Sequence, residues 1–305
     1  MRSIVIGTRA SRLALVQVDE VRGLLAARQQ DIAIETREIS TAGDRDRTTT
    51  LAVLGGQGVF VKEIEAALLG GEIDLAVHSL KDMPSTLPPG LVIAAVPHRG
   101  DPLDAVYSPR GPLAGLPPGA TVASSSPRRV AQLRRAYPAL DIVDIRGNVD
   151  TRMRKIDEGH AAALIVAGAA LDRLGLAGRR TETLPPSLML PAPGQGALAC
   201  EIRADDIELA GILAGIADPV ATAEVTAERA FLRRFGTGCT LPLAALARVA
   251  AGRLTLEGLV VTPDGARAVR MTIDGRGEDA EQIGAELAER CLAAGADRLL
   301  ELRTP

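Results

Sequence analysis

Residues 74 to 77, Asp-Leu-Ala-Val, constrain the fold of this chain more than any other stretch. They form a short apolar run after the Gly70-Gly71 break and lack the alternation of a half-exposed strand. Such a strand is covered on both faces, which calls for a parallel sheet with helices on either side. The residues that follow, His78-Ser79-Leu80-Lys81-Asp82, are mostly polar, and Pro84 ends any regular continuation. Open α/β sheets hold their ligands just beyond the carboxyl ends of their strands. Lys81 is one of only three lysines among 35 basic residues. Its ammonium can keep Asp82 ionised, facing a cation that develops during a reaction. A solvated Lys–Asp pair would explain the same two residues without chemistry.

The strand-then-polar-turn pattern recurs. Ile4-Val5-Ile6 runs into Gly7-Thr8-Arg9-Ala10-Ser11, and Leu15, Val18, Val21 and Leu25 then fall on one helical face. Ser11 is placed to cap that helix, and the turn with Arg9 offers donors to an anion. Ile32 to Ile39 alternates as a second strand, and Leu91 to Val96 is another. Pro97 to Pro102 reads as a crossing into a second α/β pattern that starts at Asp104 to Tyr107. There the turn Val122-Ala123-Ser124-Ser125-Ser126-Pro127-Arg128-Arg129 sets three hydroxyls and two arginines at one helix start, with proline in the first helical position. The helix dipole does not favour cations there, so a bound anion accounts for the arginine pair better than capping does. Arg128 and Arg129 are therefore expected to be exposed, and replacing either by Leu to spare stability. The strand Asp141 to Ile145 ends in Arg146-Gly147-Asn148, with Arg152 on the helix beyond, and Ala162 to Val166 precedes a helix bearing Arg173.

Residues 40 to 58 are polar and glycine-rich, a pattern expected of a mobile lid over 44–58. Phe60 leads a helix whose inner face is Val61, Ile64 and Leu68, and fits a core or staple residue as well as a substrate contact. Leu190 to Gly196 is a Pro/Gly-rich return containing Gln195, and Ala197 to Ile202 then rejoins the first lobe. Beyond the helix Ala221 to Phe235, a hairpin about Pro263-Asp264-Gly265 and a helix over Glu278 to Ala294 make a small α+β unit. The expected domains are 1–98 with 197–217, then 99–196, then 218–305. Cys200 and Cys291 sit at core positions of a strand and a helix, whereas Cys239 lies in the loop Gly236-Thr237-Gly238-Cys239 just after Arg233 and Arg234. That loop is either a linker turn or the site of a reactive thiol.

A net charge of −3 argues against a nucleic-acid partner, and no apolar run approaches a membrane span. Three cysteines without paired spacing, and a start that leads straight into a strand, point to the cytoplasm. No G-x-G-x-x-G follows a strand, no Walker loop is present, and no metal-ligand spacing occurs. A monomer is expected, because no exposed apolar helix demands a partner.

Seven segments taken together resemble the porphobilinogen deaminase (hydroxymethylbilane synthase) family: Gly7 to Ser11, Gly58 to Glu63, Ala76 to Asp82, Ser125 to Arg129, Arg146 to Val149, Pro193 to Ala197, and Gly238-Cys239. The resemblance covers essentially the whole chain. It implies two periplasmic-binding-protein-like α/β lobes joined by two hinge crossings, plus a small α+β C-terminal domain. It also implies a dipyrromethane cofactor on Cys239, porphobilinogen as substrate, and stepwise condensation of four units with loss of ammonia to give hydroxymethylbilane. Asp82 matches the catalytic carboxylate. Arg9, Ser11, Phe60, Ser79, Lys81, Ser124, Ser125, Ser126, Arg128, Arg129, Arg146, Gly147, Asn148, Arg152, Arg173 and Gln195 match positions that bind the carboxylate-rich substrate and cofactor. Gln57, Ser124 and Thr237 depart from common family residues. The competing reading is a non-catalytic bilobal receptor for a small dicarboxylate, which leaves Cys239, Asp82 and the third domain unexplained.

Overall fold

The computed structural model describes residues 3–28, 32–41, 61–236 and 242–301. The chain divides into one unit of residues 1–100 with 197–222 and a second of 101–196 with 223–305.

The first unit holds a five-stranded sheet in the order β2-β1-β3-β10-β4, with β1 Ser3–Thr8, β2 Ala33–Glu38, β3 Leu75–Ser79, β4 Leu91–Ala95 and β10 Leu198–Arg203. β1 pairs in parallel with β2 and β3, while β10 runs antiparallel between β3 and β4. β3 is thus the strand buried on both faces that its composition demanded, although it extends two residues further, to include His78 and Ser79. Side chains alternate across it. Leu75 and Val77 join the core under helix α1, Arg12–Arg28. Ala76 turns to the opposite face, against Ile64 and Leu68 of helix α2, Lys62–Leu69.

The second unit repeats this pairing in its lobe, ordered β7-β6-β8-β5-β9, with β5 Asp104–Tyr107, β6 Thr121–Ala123, β7 Asp141–Val143, β8 Ala163–Ala167 and β9 Glu182–Thr183. β7, β6 and β8 are parallel, and β5 runs antiparallel between β8 and β9. In each lobe the antiparallel strand is the one the chain makes directly after arriving from the other unit: β5 after Gly100, β10 after Gly196. Helices α3 Pro127–Ala136, α4 Val149–Asp157 and α5 Gly168–Arg173 complete this lobe.

The same unit carries a three-stranded antiparallel sheet, β11 Leu243–Ala250, β12 Arg253–Val261 and β13 Ala268–Arg276. Helix α6, Ile207–Ala214, belongs to the first unit; α7 Pro219–Arg234, α8 Ala280–Ala293 and α9 Ala296–Glu301 follow. Phe231 of α7 packs onto Gly258, where a Cβ would come within 2.7 Å of the ring. β11, α6 and α9 were not anticipated from the sequence. β11 is an edge strand, and every second N–H along it is taken from outside the sheet. Ala245 donates to Pro191 O at 3.1 Å, Ala247 to Glu228 Oε1 at 2.8 Å and Val249 to Glu224 Oε1 at 3.1 Å.

Candidate active site

In the first unit the residues beyond β3 are held by three ties. His78 Nε2 lies 3.0 Å from Glu201 Oε2 on β10. Gln17 Nε2 of α1 donates to Ser79 Oγ at 2.8 Å, and the Leu80 N–H donates to Ala197 O at 3.0 Å. Leu80–Asp82 then forms a single 3-10 turn. Residues three apart share a face in that geometry, and Leu80 and Met83 are both buried. Lys81 and Asp82, between those anchors, are turned outward, and Asp82 is exposed. Because β1 and β3 are parallel, with Gly7 opposite Ala76, the Arg9–Ser11 turn stands at the same carboxyl edge. Ser11 caps α1 as expected, its Oγ accepting the Ala14 N–H at 3.3 Å. Arg9, Ser11, Ser79, Lys81 and Asp82 are thereby gathered on one rim.

In the second unit the turn after β6 departs from expectation. Ser126 occupies the N-cap position of α3 but makes no side-chain cap bond. Ser124 Oγ accepts the Ser126 N–H at 3.3 Å, and Ser125 Oγ bonds the Ile145 carbonyl after β7. The hydroxyls knit the turn together and leave the start of α3 without a side-chain cap. The expectation of exposed arginines is corrected outright: Arg128 and Arg129 are 5% and 7% exposed. Both close on Asp104, which is fully buried at the head of β5. Arg128 Nη1 reaches Asp104 Oδ2 at 2.6 Å, and Arg129 reaches Oδ1 through Nη2 at 2.7 Å and Nε at 3.0 Å. Gln195, also fully buried, donates Nε2 to Asp104 Oδ1 at 3.0 Å and to Pro102 O at 2.8 Å. Two guanidinium charges therefore share a single carboxylate, supplemented by the Leu190 and Ile165 carbonyls. Burial pulls the Arg128 guanidinium below its ordinary value, with Asp104 opposing and Arg129 adding to the shift. Arg128 Nε is buried without a hydrogen-bond partner.

The remaining anion-seeking residues stand at the carboxyl ends of β7 and β8, parallel to β6. Gly147 adopts φ +113°, a conformation that suits glycine, and its carbonyl accepts Arg152 Nε at 2.7 Å. The Arg146 carbonyl accepts Lys155 Nζ at 3.1 Å. Asn148 is the N-cap residue of α4 and is exposed. Arg173, at the end of α5, donates to Gly196 O at 3.1 Å. Ser124–Ser126, Arg146–Asn148, Arg152 and Arg173 thus share one edge of this lobe, with Arg128, Arg129 and Gln195 in the layer beneath.

Phe60, the segment 44–58 and Cys239 lie outside the described residues. The loop with Cys239 connects two described elements, α7 and β11. Glu228 of α7, fully buried, ties both to the return segment by accepting the Gly194 N–H at 2.6 Å as well as that of Ala247. Burial pushes the Cys200 thiol up to about 12 and that of Cys291 up to about 11, so neither is a ready nucleophile. Asp104, Glu201 and Glu228 were missed as functional candidates. Each is an acid within or beside an apolar run, and that is a readable signal, because a buried carboxylate needs a partner.

The donor set suits a polycarboxylate: an excess of buried guanidinium over carboxylate, an unpartnered Nε, and further arginines at the strand ends. The profile of "Porphobilinogen deaminase, dipyromethane cofactor binding domain" matches residues 4–211, and that of "Porphobilinogen deaminase, C-terminal domain" matches residues 222–293. A porphobilinogen deaminase of Acidothermus cellulolyticus is 49% identical over 301 residues, covering 97% of this chain and 90% of its own length. One from Roseiflexus castenholzii is 47% identical over 299 residues, covering 98% of each. Among solved structures, the periplasmic VFT2 domain of Bordetella pertussis BvgS aligns with 70% of this chain and 86% of its own at 20% identity and a TM-score of 0.41, too remote to inform function.

Proposed function

The chain belongs to the porphobilinogen deaminase family, transferases that condense porphobilinogen on a dipyrromethane cofactor, and from that premise we propose which residues carry the reaction here. Cys239 holds the dipyrromethane, which when bound supplies the tethered pyrrole to which each new unit is added. Four units are joined head to tail, each with loss of ammonia, and water releases the linear product.

Asp82 is the catalytic carboxylate. Departure of ammonia leaves a cation on the incoming substrate, for which the bound primer would supply the pyrrole nucleophile. A carboxylate near the substrate ring N–H stabilises that charge and serves the accompanying proton transfer. Lys81, one residue away, attracts substrate carboxylates. Arg9 and Ser11 on the same rim, with Ser79 held by Gln17, orient the incoming acetate and propionate groups. Arg146, Arg152 and Arg173, with the Ser124–Ser126 turn, serve the growing polyanion. Arg128 and Arg129 act from beneath as a fixed positive charge, and Gln195 keeps their counter-ion in place.

The observation that carries this reading is the anchored turn: Leu80 and Met83 buried, the backbone pinned to Ala197, and Asp82 left facing solvent. Asp82→Asn should keep the fold and the attached cofactor yet lose turnover by at least about 10²- to 10³-fold, the worth of one preorganised electrostatic contact. Near-normal formation of hydroxymethylbilane by that variant would remove Asp82 from the chemistry. A non-catalytic dicarboxylate receptor is not favoured by the family match.

The reading extends to three domains divided near residues 98, 196 and 217, each carrying its own sheet. It includes a lid formed by 44–58, supported by that segment's polarity and glycine content. It also holds that the enzyme works as a monomer in the cytoplasm, without nucleic-acid or membrane partners. The free thiols of Cys200 and Cys291 agree with a reducing compartment, and among the described residues no single helix is long and apolar enough to cross a membrane.

A further inference from the structure

The α2 face of the first sheet buries more acid than it can neutralise. Glu201 of β10 is fully buried, and Glu65 of α2 and His78 of β3 are each only 6% exposed. β10 sets Glu201 opposite Ala76 and Ala199 opposite His78, so Glu201 and His78 are diagonal neighbours on the face that α2 covers. One bond joins them, His78 Nε2 to Glu201 Oε2 at 3.0 Å. The other oxygen of Glu201 and Glu65 Oε1 are both buried with no hydrogen-bond partner. One carboxylate is bonded to the imidazole, a second is buried on the helix that covers this apolar layer, and two acceptor oxygens are left over.

Neighbouring charges do not resolve the excess. Arg203, two residues along β10, is spent on Asp74 and on the Leu68 and Ile73 carbonyls. Lys62 of α2 is exposed, and its charge weighs on Glu65 less than those of Glu201 and His78. The residues of β1 and β4 on this face, Val5 and Leu91, are apolar. A buried group that can take up a proton does so before it bears an unpaired charge. Burial, and next the charge of Glu201, raise the Glu65 carboxyl above its ordinary value, with His78 and Lys62 opposing.

We propose that Glu65, His78 and Glu201 act as one positioning cluster for Asp82, keeping a shared proton inside the sheet and fixing, through the β3–β10 clamp, where the Leu80–Asp82 turn stands. The turn follows His78 by two residues, and the Leu80 N–H is bonded to Ala197, two residues before Ala199 on the same strand pair. Loss of the proton puts a second negative charge beneath β3 and loosens that pairing. None of the three side chains need touch substrate. The proposal rests on the role assigned to Asp82.

The sign of the pH effect follows from where the proton is held. Burial raises the folded Glu65 carboxyl above its ordinary value, so the stability its proton contributes is full below that value and is lost as pH rises through the folded one. Glu65→Gln is neutral at every pH and should abolish that component of the decline. Its kcat at pH 7 should stay within about three-fold of wild type, whereas Glu65→Ala should lose about ten-fold or more, because the amide replaces the carboxylic acid and the methyl does not.

The test measures kcat and KM, the midpoint of thermal unfolding, and hydrogen exchange at the Leu80 amide, each across the pH range from the ordinary glutamate value upward in which the fold persists, for wild type, Glu65→Gln and Glu201→Gln. In wild type the fall with rising pH should appear in kcat with KM steady, accompanied by faster Leu80 exchange. Glu65→Gln should shift that limb upward by about one pH unit or more, and Glu201→Gln should speed Leu80 exchange already at pH 7. Profiles of Glu65→Gln that superimpose on wild type in stability and exchange would overturn the cluster. Failure of wild type to consume porphobilinogen would instead overturn the assigned reaction, leaving stability and exchange to judge the cluster alone.

Discussion

The two α/β lobes share a strand pairing but solve the problem of buried charge in opposite ways. In both, the antiparallel fourth strand carries a fully buried acid, Glu201 on β10 and Asp104 on β5. In the first lobe that acid meets one imidazole, with a second carboxylate on the covering helix whose value burial raises. The excess negative charge can be removed by taking up a proton. In the second lobe the acid meets two guanidiniums, which do not release theirs. An excess cation that cannot be titrated away has to be matched by an anion from outside. The same scaffold therefore yields an acid-rich layer next to the Leu80–Asp82 turn in one lobe and a cation-rich layer in the other, suited to a carboxylate-bearing ligand.

The comparison is most easily broken at Asp104. Asp104→Asn removes the acid shared by two buried arginines, and losing one partner of such a group costs about 3–5 kcal/mol. Denaturant unfolding should show that loss, and a change under about 1 kcal/mol would mean the arginines are satisfied without it. Arg128→Leu sharpens the point. It removes the surplus charge and leaves Asp104 paired with Arg129 and Gln195, so it should cost less, about 1–3 kcal/mol. It should also lower the fraction of chains that retain the cofactor. Equal destabilisation by the two variants would contradict a cation surplus.

Another buried acid is held by backbone donors. Glu228 accepts two backbone N–H groups, one on each oxygen, from Gly194 and Ala247. Glu228→Gln must turn an amide N–H₂ toward one of those donors, and should cost about 1–3 kcal/mol. Glu224 is hydrogen-bonded to the Val249 N–H through Oε1, and a glutamine can keep that bond, so Glu224→Gln should cost about 1 kcal/mol or less. Matching thermal shifts for the two would show that charge, not donor geometry, governs these sites.

Much of this was legible in the sequence, and the gaps have a common physical cause. Period and turn chemistry located β1, β3, α1 and α3 and placed Asp82 just past the end of β3, because those signals are local. The buried partners were not visible. Asp104 reads as the start of a strand, and only the antiparallel insertion of β5 brings it beneath Arg128 and Arg129, 24 and 25 residues away. Glu201 is separated from His78 by 123 residues. The arginine pair was correctly singled out as unusual at a helix start, but its exposure was inferred from charge alone. β11 escaped notice because its alanine-rich run has a single β-branched residue, Val249, and its edge is held by Glu224, Glu228 and Pro191 rather than by a neighbouring strand.

The central claim is that the anion this enzyme requires is its own covalently held primer, attached at Cys239. Intact-mass measurement of the purified active enzyme, followed by peptide mapping, tests it directly. One adduct of two linked pyrroles should be found, confined to the peptide containing Gly238-Cys239-Thr240. Cys200 and Cys291, both buried with thiol values pushed up by burial, should remain unmodified. Cys239→Ser should lack the adduct and the turnover together. An active enzyme of unmodified mass, or an adduct on either buried cysteine, would contradict the account.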